Sequence, residues 1–181
     1  MPRRDDTTIT WARVEVSAPA LDRYLEQLAA THVNGGYLIG RWRAVEHPGT
    51  VVRVDSGHLR SFFDDQVVRD GLSELRIPAP LTDALGFEPQ WAGSLCLDGV
   101  LAGLIVTGGA YERYKGPAAE AKALAVAAVE ALTQNRFADF RVDISTVAWT
   151  PWFYDIAWDH TLVLTDLANA ELTVLCITDT D

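Results

Sequence analysis

Apolar and polar residues alternate over Phe140-Arg-Val-Asp-Ile-Ser145, with Phe140, Val142 and Ile144 on one side and Arg141, Asp143 and Ser145 on the other. A period of two predicts a half-buried strand. The same reading makes Thr7–Val16 a strand, with Ala12, Val14 and Val16 on one face. Thr161–Thr165 and Glu171–Thr178 are apolar on both faces in places, which suits central strands of a covered sheet. Tyr37–Val45 and Val51–Asp55 read as paired strands. Leu72–Ile77 reads as an edge strand.

Two stretches carry a helical period. Leu21, Tyr24, Leu25, Leu28 and His32 recur on one face from Pro19 to His32, and Asn34-Gly35-Gly36 stops the run. Ala121, Leu124, Ala125, Ala128, Val129 and Leu132 line one side of a second helix, opened by Gly116-Pro117 and ending near Asn135. Its alanines allow close approach to a sheet. Ser56 is placed to cap a short helix that turns Leu59, Phe62 and Phe63 inward. Pro80–Leu85 suggests one or two helical turns ending at Gly86. Asp98-Gly99 lies between the apolar runs Trp91–Leu97 and Val100–Thr107 and predicts a hairpin, with Tyr111–Tyr114 continuing its second strand beyond Gly108-Gly109. Hairpins dominate this order. The expected fold is α+β: a mostly antiparallel sheet of hairpins with about three helices packed on it, in one domain spanning 1–181.

Composition narrows the picture. The chain has 181 residues, 49% of them hydrophobic and 22% charged, as expected of a folded domain with a real core. No apolar run is long enough to cross a bilayer, and the basic N-terminus has no apolar stretch behind it. Cys96 and Cys176 both lie in apolar runs and read as reduced core thiols, consistent with a cytoplasmic protein. Two cysteines exclude the usual structural zinc patterns. The formal charge is −10. It argues against nucleic acid or an anionic membrane as partner and favours a basic protein or a cationic ligand.

From Phe137 to Asp181 there are eight acids against one base, Arg141, so this segment carries −7 of that charge. It also holds Trp149, Trp152, Phe153, Tyr154 and Trp158. Aromatics supply contact area and unpaired acids supply a field. The predicted partner-binding residues are Trp149, Trp152, Tyr154, Trp158, Asp155, Asp159, Asp179 and Asp181.

Asp155, Asp159 and His160 are the candidate catalytic set. As a strand or as a helix, the run Trp152–Trp158 puts both carboxylates on one side. Two close carboxylates separate acid from base roles, and His160 is a base at hand. Asp55-Ser56-Gly57-His58 is a second, weaker candidate, since Ser56 has a simpler job as a cap. His32 at a helix end and His47 in a turn read as structural. No Gly-x-Ser-x-Gly elbow, His-Glu-x-x-His pair or phosphate loop is present, so neither cofactor nor metal is expected.

In overall character the chain resembles bacterial immunity proteins, which are small, acidic and α+β, lack catalytic motifs and neutralise a partner toxin. That resemblance implies a protein partner of opposite charge, and a homo-oligomer is compatible with it. The competing expectation is a small enzyme or small-molecule-binding protein with a Trp-lined pocket at Asp155, Asp159 and His160.

Overall fold

The computed structural model describes residues 9–45, 54–81 and 84–181. Among these residues, six strands form one antiparallel sheet in the order β1-β2-β6-β5-β4-β3. They are β1 (Trp11–Val14), β2 (Gly36–Ala44), β3 (Glu88–Pro89), β4 (Phe140–Ser145), β5 (His160–Asp166) and β6 (Glu171–Thr178). The central pair β5–β6 is a hairpin in which Asp166 lies opposite Glu171 and His160 opposite Ile177. All of β6, and all of β5 but half-buried His160, is buried. The doubly apolar sequence of these two strands thus has the covered position it predicts.

Among the described residues, five α-helices cover the two faces: α1 (Pro19–Thr31), α2 (Leu59–Asp64), α3 (Gln66–Gly71), α4 (Leu97–Thr107) and α5 (Ala118–Thr133). On one face, Trp42, Val163, Leu172, Val174 and Cys176 meet Phe62, Phe63 and Val68 of α2 and α3. Phe62 stands edge-on to Trp11 and Trp42, with ring centroids 4.9 and 5.5 Å apart. Such edge-to-face pairs set the negative ring face against the positive ring edge. Gly40 makes room for the Trp42 indole, because a Cβ there would sit 2.3 Å from the far end of the ring. On the other face, Val142, Leu162, Leu164, Leu175 and Ile177 meet α1, α4 and α5. Helix α5 packs against both α1 and α4, and Ala121, Ala125 and Ala128 are fully buried along it.

Several expectations are corrected. The Asp98-Gly99 hairpin does not form; Leu97–Thr107 is α4. Leu97, Leu101, Ala102 and Ile105 are its buried residues, a helical spacing that outweighs the local turn preference of Asp-Gly. Asp98 lies in the first turn, where a carboxylate meets the positive end of the helix, and pairs with Lys122 at 2.7 Å. Cys96 is therefore no core thiol. It precedes α4 at the end of a 3-10 turn and is exposed, whereas Cys176 is buried and both are unlinked. Burial pushes the Cys176 thiol up to about 12.

Leu72–Ile77 holds a 3-10 turn at Ser73–Leu75 instead of an edge strand. Tyr111–Tyr114 has no regular structure, nor do the described residues of Pro80–Leu85. Val51–Arg53, in the expected partner of β2, fall outside the described residues, as do Thr7 and Thr8 of the first strand and His47. Val54 and Asp55 are irregular, and β2 pairs with β1 and β6. His58, not Ser56, directly precedes α2, and Ser56 opens a 3-10 turn before it.

Two outcomes follow from this packing. Ala128→Asp places an unpaired charge against α1 and α4 and is expected to destabilise by about 3 kcal/mol or more, read from a denaturant melt. In native protein a thiol reagent should label Cys96 quickly and Cys176 only at the rate of unfolding; equal rates would contradict the burial of Cys176.

Candidate functional site

The chain between β4 and β5 contains the sequence's densest aromatic run. It is neither strand nor helix. The reason is Asp159, whose side chain is 1% exposed. Its carboxylate accepts the Tyr154 backbone N–H at 3.1 Å and the Ile156 N–H at 3.0 Å, and the Thr178 hydroxyl donates to it from the end of β6. A carboxylate that takes backbone donors three and five residues back competes with any ladder or helical bond they would make. Pro151 cannot donate, and Asp155 adopts a left-handed φ of 60°. The aromatic end is fixed separately. Trp149 is buried, packs on Phe63 with centroids 4.7 Å apart, and donates its indole N–H to Thr161 Oγ1 at 2.9 Å.

This anchoring separates residues that the sequence grouped together. Asp155 is exposed and Asp159 buried, so the two carboxylates do not share a side. His160 is half-buried and donates from Nδ1 to the Trp158 carbonyl at 3.1 Å. The Asp159 carboxylate is committed to holding chain. Trp149, Asp159 and Asp179 lie in the interior. Tyr154, Asp155 and Asp181 are exposed, with Trp152 and Trp158 half-buried.

Asp179, 0% exposed, is a second anchor. It accepts the Asn34 and Ala110 N–H groups, each at 2.8 Å, tying the turns after α1 and α4 to the end of β6. Gly109 is required beside it, since a Cβ would lie 1.9 Å from its Oδ2. Next to this node His32 is buried, its Nδ1 donating to the Leu28 carbonyl at 3.1 Å. Burial lowers the His32 pKa, outweighing the opposite influence of that hydrogen bond and of Asp179. At Asp55-Ser56-Gly57-His58, the His58 ring contacts Asp55 at 3.0 Å at a largely exposed position.

The C-terminal acidity is thus largely spent inside. Asp143 pairs with Arg141, Asp166 with Arg136, and Glu171 with Arg43. The exposed acids are spread widely, through Glu15, Asp22, Glu26, Asp70, Glu130 and Asp155 among others. Among the described residues no three His, Cys, Asp or Glu side chains converge as a metal site, and no helix is long and apolar enough to cross a membrane.

No protein-family model matches the chain, and no curated protein matches it significantly.

A cleft that sequence patterning missed lies elsewhere, on the helix-covered face of the sheet beyond the end of α5. It holds about 300 Å³ and is lined by Arg41, Arg43 and Arg136 with Asp166, Glu171 and Thr173. The signal for it was Arg41 and Arg43, which alternate with buried Gly40, Trp42 and Ala44 on β2.

His32 supplies a pH test. Its folded pKa lies below the ordinary 6.5, so the neutral ring is the form the fold favours. The associated stability is complete above 6.5 and is lost as pH falls toward the lower folded value. The wild-type Tm should therefore fall more steeply below that pH than the Tm of His32→Gln; parallel curves would contradict the assignment.

Proposed function

We propose that this chain is a cytoplasmic binding protein that engages a basic protein partner, in the manner of an immunity protein that neutralises a toxin. The contact surface is the β4–β5 loop, where Trp152, Tyr154, Asp155 and Trp158 reach the surface. The observation that carries this reading is the buried Asp159 carboxylate, which holds the loop backbone through Tyr154 and Ile156 and leaves the Tyr154 side chain 51% exposed. A loop fixed before encounter loses little entropy on binding, and rigid aromatics supply contact area at low conformational cost. The overall charge of −10 supports attraction of a cationic surface.

In this reading the eight residues expected at the interface divide by role. Tyr154, Trp158 and Trp152 are anchors, and Asp155 steers. Asp181, also exposed, belongs with Asp155. Trp149, Asp159 and Asp179 hold the loop and its neighbours in place. The enzyme alternative has less support, because Asp155 is exposed whereas the Asp159 carboxylate is buried and bonded to the loop backbone, so the two are not a facing pair.

A photo-crosslinking residue tests the proposal directly. Placed at Tyr154 in cells, it should give an adduct with a basic protein, and the same residue at Glu130, exposed on α5, should not. Absence of an adduct at 154, or equal adducts at both positions, would count against it. With the captured partner in hand, Asp155→Asn should slow association and make it less salt-dependent, whereas Trp158→Ala should speed dissociation.

A further inference from the structure

The arginine-lined cleft follows from strand register. Arg41 lies opposite Thr173 and Arg43 opposite Glu171 across β2 and β6, and Glu171 lies opposite Asp166 across β6 and β5. By alternation these positions share a face with Ile39, Leu175 and Leu164, which pack beneath the helices. Helix α5 stops at Thr133, so the same sheet face continues past it without a helical cover and turns polar. Arg136, on the chain that returns to β4, closes one side.

The charges inside are unevenly matched. Glu171 accepts from Nε and Nη2 of Arg43. Asp166 accepts from both Nη atoms of Arg136, from the backbone N–H groups of Ala168 and Asn169, and from Asn169 Nδ2. Arg136 is held a second time by Asp139 at 3.0 Å. Each cleft carboxylate therefore has an arginine of its own, with both Arg43 donors on Oε1 of Glu171. Arg41 has no ion pair among the described residues. Its Nε donates to Thr173 Oγ1 at 2.8 Å and its Nη2 to the Leu132 carbonyl at 3.5 Å. Its other N–H groups have no protein acceptor among the described residues. Burial lowers the Arg41 pKa despite the opposing pull of Glu171 and Asp166, as expected where the surroundings do not fully replace water around a cation.

We propose that this cleft binds a small free oxyanion, a carboxylate or phosphate group of a metabolite, with Arg41 as its principal ligand. A guanidinium offers parallel N–H donors that match two oxygens of such a group. Thr173 and Leu132 hold the Arg41 fork in place before the anion arrives, while Arg43 and Arg136 are kept at the rim by their own carboxylates. A volume of about 300 Å³ is at the small end of ligand pockets, so the bound molecule is small. The net charge of −10 repels anions at long range, so recognition here depends on contact.

The test is titration calorimetry of the full chain at constant ionic strength, with inorganic phosphate and with malonate as probes. Wild type should show saturable binding of at least one. Phosphate alone would make the natural ligand a phosphate ester, and malonate alone a carboxylate; either supports the site. Arg41→Gln should weaken binding by about tenfold or more, with Arg41→Lys in between, because it keeps the charge and loses the fork. Lys122→Gln, which breaks a remote ion pair with Asp98, should bind as wild type. If Arg41→Gln fails to fold, the side-chain Nε resonance of Arg41 in wild type decides, and it should move on titration. No saturation by either probe, unaltered affinity in Arg41→Gln, or binding that leaves the Arg41 resonance fixed would overturn the proposal.

Discussion

Burial of the β5–β6 hairpin on both faces sets the terms for the rest of the molecule. A hairpin without a solvent side has no water for its polar groups, so they depend on protein partners, and Thr165 Oγ1 is left without one among the described residues. The partners gather at its two ends. Asp159 and Asp179 flank the end formed by His160 and Thr178, where they accept backbone N–H groups from three separate turns. Asp166 and Glu171 flank the other end, where they face arginines from β2 and from the chain after α5. An acid-rich segment that reads as a surface field is thus in large part the means by which irregular chain is tied to a buried sheet.

That distinction explains what was legible in sequence. Strand β4 and helices α1 and α5 were readable because each carries a sustained period of two or of 3.6, and β5 and β6 because they are apolar on both faces, as covered strands are. The misreading at Asp98-Gly99 came from weighing a two-residue turn preference above Leu97, Leu101 and Ile105, which recur at helical spacing. The loop at Trp152–Trp158 fits both periods because neither is used. Its conformation is fixed by Asp159 and Thr178, the latter 26 positions beyond Trp152 and brought near only by the sheet. Nothing local in the sequence distinguishes an acid that accepts backbone donors in the interior from one that meets solvent, so Asp155 and Asp159 looked equivalent.

The two surfaces of interest have different physical characters. The aromatic loop is convex in chemistry: fixed backbone, outward rings and one steering carboxylate. The cleft beyond α5 is inward-facing and polar, with every carboxylate paired and one arginine left unmatched. They are built at opposite ends of the same central hairpin. Groups of β5 and β6 or next to them thus shape both surfaces: Thr173, Asp166 and Glu171 position the arginines at one end, and Asp159 and Thr178 hold the loop at the other.

The position of β6 also governs the order in which the chain becomes a domain. It is the last strand in sequence, yet it lies between β2 and β5 in the sheet. Until β6 is synthesised, β2 lacks the strand that fills one of its edges and β5 lacks its hairpin mate. Helices α1, α4 and α5 meanwhile have only half of the floor they rest on. Pairing of Gly36 with Thr178 closes a loop of most of the chain, a costly step that pays back only when both cores seal together. The two apolar faces of the sheet therefore stay incomplete until β6 is in place between β2 and β5, and its insertion completes both cores at once.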